Sequence, residues 1–177
     1  MPNYRRDYSG SAWFFTVATY SRRPILVEPF ARDALRAATR DCYSRYPFHI
    51  DAWVLLPDHL HTIWTLPGFD RDYSRRWSII KRGFTQHMVK GSASDTYSFD
   101  LCASVPIWQP RFWAHRINDD RDYEHHVNYV HINPLKHGLV ERVVDWPWSS
   151  FHRFVNSRAY SRDWGGTVCV PESVGRE

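Results

Sequence analysis

The stretch from residue 48 to residue 66 constrains this chain most. In FHIDAWVLL (48–56), Phe48, Ile50, Ala52, Val54 and Leu56 alternate with other residues and point one way. A period of two is the mark of a strand, because successive side chains lie on opposite faces. Pro57-Asp58 makes a short turn, and HLHTIWTL (59–66) reads as the return strand of a hairpin.

The flanking segments fit around that hairpin. AWFFTVATY (12–20) is aromatic and β-branched, and predicts a strand. Pro29 after Glu28 opens a helix on which Phe30, Ala34, Leu35, Ala38 and Cys42 recur at helical spacing. It ends near Tyr46-Pro47, since proline disfavours helix in the residue before it. Residues 71–90 carry Trp77, Ile80, Phe84 and Met88 on one helical face, with Arg75, Arg76, Lys81 and Arg82 on the others. Residues 91–104 read as a Ser- and Ala-rich loop, and 107–117 as a last strand interrupted by Pro110. Asn118 or Asp119 caps a third helix that runs to about Asn133; a turn, an extended piece and a small helix near 148–155 follow. The fold class is therefore α+β: a ferredoxin-like split βαβ antiparallel sheet with an added C-terminal helix. One domain over residues 1–156 is expected, followed by a polar, mobile tail over 157–177.

Composition narrows the function less. A formal charge of +4 and a pI near 9.1 are compatible with a polyanionic partner without requiring one. Nine Trp supply a large aromatic core, or platforms for unpaired bases. Three scattered cysteines, Cys42, Cys102 and Cys169, argue against a disulfide framework and a Cys-based zinc finger. No signal stretch or bilayer-length apolar run is present, which predicts a cytoplasmic protein without membrane association.

Two clusters carry chemistry. His59 and His61 share one strand face, so both imidazoles can converge on one ion while Leu60 points into the core. Taken alone the pair is a weak signal, since two strand histidines are more often surface or hydrogen-bonding residues. In DYEHHVNYVHINPLKH (122–137), Asp122, His126, Tyr129 and Asn133 form one helical stripe, apart from the apolar stripe of Tyr123, Val127 and Val130. If this helix lies against the histidine face, Asn133 can offer an oxygen to the same ion. Two imidazoles favour tighter binding of Mn²⁺; the abundant Mg²⁺ is the expected working ion.

Together these clusters resemble the HUH superfamily, and more narrowly the REP-associated tyrosine transposases. The resemblance rests on Tyr4-Arg5-Arg6, WFFTV (13–17), DAWVLLPDHLHTIWTLP (51–67), RWSIIKRGF (76–84), IWQPRFWAHRI (107–117), DYEHHVNYVHINPLKHGLV (122–140) and DWPWSSFHRFV (145–155). It implies the HUH variant of the sheet, metal held by His59 and His61, Tyr129 as nucleophile and Asn133 completing the site. It also implies a nicking and joining enzyme for single-stranded DNA at REP-type hairpins, working through a 5′-phosphotyrosine. A monomer is expected, with a homodimer as the alternative. Expected DNA contacts are Arg5, Arg6, Arg75, Arg76, Lys81, Arg82, Arg111, His115 and Lys136, with Trp108 or Trp113 to stack bases. His126 and Asp58 are candidates for an orienting or acid–base role. Three competing readings stand beside it: a hairpin-binding repressor without catalysis, a metal hydrolase in which water replaces Tyr129, and a ferredoxin-like interaction domain without nucleic acid, which the coincidence of both clusters disfavours.

Overall fold

The computed structural model describes residues 10–92 and 106–166, the side chains of 91 and 92 excepted. Its elements run β1 (Gly10–Ala18), α1 (Pro29–Arg45), β2 (His49–Leu55), β3 (His59–Pro67), α2 (Tyr73–Ser92), β4 (Trp113–Arg116), α3 (Asp120–Lys136) and α4 (Phe151–Asn156). The sheet order is β2-β3-β1-β4, and every paired neighbour is antiparallel. This is the split βαβ order, with the histidine-bearing β3 in the interior of the sheet.

The sheet has a layer on each side. Phe15, Val17, Leu60, Trp64 and Leu66 face α1 and α2, where they meet Leu35, Ala38, Trp77 and Phe84. Ala12, Phe14, Ala52, Val54 and Ile63 face α3 and the segment that follows it, meeting Val127, Tyr129, Val130 and Phe151. Leu60 is thus in the core opposite the histidines, as its place between them requires. No helix among the described residues is long and apolar enough to cross a membrane.

Several expected details are corrected. The single face assigned to 48–56 is broken by an irregularity in register between Ile50 and Ala52. Phe48 and Ile50 pack under α1 and α2, whereas Ala52, Val54 and Leu56 face α3. One extra residue in a strand shifts everything beyond it to the other face. The last strand is only Trp113–Arg116; residues before it make an isolated bridge, Thr19 to Trp108. The third helix does not stop at Asn133 but carries Pro134 inside it and ends at Lys136. Proline forfeits one backbone bond there, while His137 and Gly138 still donate to Asn133 and Leu135. The chain also stays packed past Asn156: Tyr160 is buried, with its ring 5.3 Å from that of Phe151.

Candidate functional site

The site lies between β3 and α3. The β1–β3 register sets Thr16 opposite His61. His61 Nδ1 is 2.9 Å from Thr16 Oγ1, and His59 Nδ1 donates to Asp58 Oδ1 at 2.7 Å. Arg22 in turn sits 3.3 Å from the other oxygen of Asp58. With each Nδ1 occupied, each Nε2 is left as the nitrogen that can bind something else. Both Nε2 atoms are buried and have no protein partner. Such atoms are costly unless satisfied by a ligand or an ordered water.

The helix supplies a third acceptor. The Asn133 amide NH₂ donates to the Tyr129 carbonyl at 2.6 Å, which turns its oxygen the other way. That Oδ1 is likewise buried and unpaired. Tyr129 lies against His61, ring centroids 5.1 Å apart, and His137 lies against His59 at 5.2 Å. Asn133 falls one turn from each on the same stripe, so it faces the histidine pair. With the proton of each ring on Nδ1, the two Nε2 atoms and the amide oxygen form a donor set that suits a divalent cation.

Electrostatics agree. Burial holds the His61 imidazole well below its ordinary pKa, and the positive charges of His59, His137, Lys136 and Arg22 push the same way. His61 is therefore neutral and able to donate a lone pair. Burial raises the Asp58 carboxyl, but its bond to His59 and the charges of His59 and Arg22 bring it below the ordinary range. An ionised Asp58 fixes the His59 tautomer, an orienting contact of the kind metal sites use. Lys136 Nζ lies 5.0 Å from the Tyr129 ring centroid.

His115, Asp122 and His126 form a second group, with one ligand atom from each within 4.8 Å of the others. Here, however, the carboxylate is already engaged. Asp122 Oδ2 accepts from the Asn118 backbone, at 2.9 Å, and from its side chain, and lies 2.9 Å from His115 Nε2. Asp122 Oδ1 lies 2.9 Å from His126 Nδ1. These bonds close the turn from β4 into α3, so the pair on β3 with Asn133 is the better open donor set. Burial lowers the pKa of His126 against the opposing pull of the Asp122 backbone and carboxylate, keeping the ring neutral.

The polar stripe on α3 does not face solvent. Tyr129 is 2% exposed and Asn133 0%, because the sheet covers one side of the helix and residues 143–160 cover the other. Among the expected DNA contacts, Arg76 is buried and donates to the carbonyls of Tyr46, Pro47 and Asp72 and to Asp70. It closes the chain between α1 and β2 rather than offering a charge. Lys81 donates to the Gln109 carbonyl at 2.9 Å and is pushed down to about 8 by burial. Arg75, Arg82, Arg111 and Lys136 are exposed; Arg75 stacks over Tyr46 at 4.6 Å. Trp108 is buried beneath Lys81 and packs on Phe84. Arg5 and Arg6 lie outside the described residues. Thr16 and Phe14 were invisible to spacing, because both reach the site across strands. Phe14 packs 5.6 Å from His61 and 5.8 Å from Tyr129.

No protein-family model matches the chain. A REP-associated tyrosine transposase of Escherichia coli (strain K12) is 46% identical over 172 residues, spanning 95% of this chain and 93% of that protein. A Haemophilus influenzae protein (strain ATCC 51907 / DSM 11121 / KW20 / Rd), provisionally given the same designation, is 40% identical over 167 residues, 94% of each chain. A solved REP-associated tyrosine transposase bound to a REP hairpin shares the fold at a TM-score of 0.75 and 42% identity. That match covers 100% of this chain and 99% of the other.

Proposed function

This chain belongs to the REP-associated tyrosine transposases, DNA transposases that act through a single tyrosine, and on that premise we propose that it cuts and rejoins single-stranded DNA beside REP-type hairpins with Tyr129 as nucleophile. The observation that carries the reading is the trio of buried, unpaired acceptors next to Tyr129: His59 Nε2, His61 Nε2 and Asn133 Oδ1. These atoms would hold Mg²⁺ or Mn²⁺. When bound, that ion supplies Lewis acidity toward a phosphate oxygen.

The chain's own residues do the rest. The Tyr129 hydroxyl attacks phosphorus in line, the bond to the 3′ oxygen breaks, and a 5′-phosphotyrosine and a free 3′-hydroxyl result. The phenolic proton passes to solvent and the departing 3′ oxygen takes one up from solvent, while the positive charge of Lys136, 5.0 Å from the ring centroid, favours ionisation of the phenol. The diester energy is kept in the phosphotyrosine, so a second 3′-hydroxyl can displace Tyr129 and seal a strand. Thr16 and Asp58 keep the two imidazoles turned toward the pocket. Tyr129 and Asn133 on α3, His59 and His61 on β3, Thr16 on β1 and Asp58 in the turn before β3 come together within one chain, which supports a monomer as the functional unit. Residues 1–156, closed by the packing of 157–166, constitute the catalytic domain.

The test is a labelled single strand carrying a REP-type hairpin, incubated with Mg²⁺ or Mn²⁺ and resolved on a denaturing protein gel. A metal-dependent adduct on the downstream fragment is expected, and Tyr129→Phe should abolish both adduct and cleavage. Cleavage that survives in Tyr129→Phe would instead identify a water nuclease. Binding without cleavage under either metal would identify a hairpin-binding repressor.

A further inference from the structure

The face of the sheet away from the histidines carries a second feature that the transposition chemistry does not use. Helix α1 buries Ala31, Ala34, Leu35, Ala38 and Cys42. Its flank carries Arg32, Arg36 and Arg40, four residues apart and therefore in one row. That row borders a groove of about 630 Å³ between α1, the edge strand β2 and residues 147–153. No carboxylate lines it.

The groove is built rather than incidental. Residues 148–150 pair with β2: Leu55 donates to the Trp148 carbonyl and Ser150 to the Trp53 carbonyl, each under 3 Å, at 2.9 and 2.8 Å. Trp148 is held there with the Arg32 guanidinium 5.0 Å from its ring centroid, while Arg32 Nε is buried without a partner. Arg153 is fixed at the rim by donating to the carbonyls of Ile50 and Asp51. Tyr43 stands at the lip with 54% of its surface exposed. Arg36 pairs with Asp33 at 2.7 Å, but both side chains are largely exposed and such a pair holds the arginine weakly.

We propose that this groove binds unpaired nucleotides of the DNA strand flanking the hairpin, phosphates on the row of arginines and a base on Tyr43. Guanidinium groups match phosphate oxygens in forked pairs, and an exposed ring beside them offers a sequence-tolerant stacking surface. A row of positive charge over an apolar floor with no carboxylate is complementary to that ligand. Since the His59–His61 face is on the other side of the sheet, the strand held here is a tether, not the scissile segment. The inference rests on the DNA-acting reading above and adds a contact surface to it.

The test is fluorescence anisotropy with a blunt REP-type hairpin, the same hairpin with an oligo-dT tail, and oligo-dT alone. The wild type should bind the tailed hairpin more tightly than the blunt one. R36E/R40E changes two exposed residues outside the catalytic site, so it should bind the tailed hairpin about tenfold more weakly. Its salt slope should fall by about 1.4, for two single-strand phosphates released. Tyr43→Ala should lower oligo-dT affinity about tenfold. Blunt-hairpin affinity and Tyr129 adduct formation should stay as in the wild type. Wild-type affinity of R36E/R40E for the tailed hairpin overturns the proposal, as does equal competition by poly-glutamate. If no adduct forms on any DNA yet the tail-dependent gain is present and lost in R36E/R40E, the groove stands and the transposition chemistry fails.

Discussion

Asp58 and Thr16 decide which nitrogen of each histidine faces the pocket. A side chain that fixes a ligand's tautomer is worth about 10–100-fold in metal affinity. Thr16→Val keeps the shape of the residue but removes the oxygen 2.9 Å from His61 Nδ1. Mn²⁺ affinity, titrated calorimetrically, should fall by about that factor while the fold survives; unchanged affinity would show that Thr16 does not orient His61. Spacing places His59 and His61 on one strand face, but their expected role comes only with the tyrosine helix and the family resemblance. Thr16 was not legible, because its contact with His61 spans 45 positions and depends on which strands are neighbours. Asn133 lay between: its place one turn from Tyr129 is plain in the sequence, but its unpaired oxygen follows only from the bond of its amide to the Tyr129 carbonyl.

At the scale of elements, the break in β2 shows what periodicity cannot see. Alternation over 48–56 implies one face, yet the chain changes face between Ile50 and Ala52 and so serves both cores. Asp51 sits at that point, buried, and Oδ2 accepts from Thr65 Oγ1 at 2.8 Å. A buried carboxylate there tethers β2 to β3 and, through the Tyr123 hydroxyl at 3.4 Å, to α3. Asp51→Ala leaves donors without their acceptor, so a loss of about 1–3 kcal/mol is expected in urea unfolding. A loss under about 0.5 kcal/mol, the range of an ordinary surface change, would mean the bulge holds without it. Helix α3 makes the complementary point. The helix expected to run to about Asn133 continues through Pro134, because a proline in the last turn costs only one backbone bond, and Gly138 at φ 66 supplies the left-handed turn that ends it.

At the scale of the whole molecule, the layer after α3 is joined to the sheet through His131. Its Nε2 is 2.8 Å from Ser150 Oγ, and that same oxygen accepts from the Trp53 backbone at 2.8 Å. Its Nδ1 is 3.3 Å from the Tyr160 hydroxyl, which donates to Asn128 at 2.7 Å. The polar and aromatic make-up of 146–160 gave no hint that these residues would meet an α3 histidine. Burial, with help from the charges of Arg153 and His152, pushes the His131 imidazole down to about 3. The unfolded chain protonates this ring near its ordinary value of 6.5, and the folded chain refuses the proton until far lower pH. Stability from His131 is therefore complete above about pH 6.5 and is lost as pH falls toward about 3. The loss approaches about 1.4 kcal/mol per pH unit through the middle of that window. His61 and His126 are shifted in the same direction, so the wild-type slope contains all three rings. His131→Gln should be less stable than the wild type at neutral pH, yet lose stability less steeply as urea unfolding is repeated at successively lower pH. Parallel slopes for the two proteins would show that His131 takes up its proton in the folded state, and that the layer after α3 is not pinned by a neutral ring.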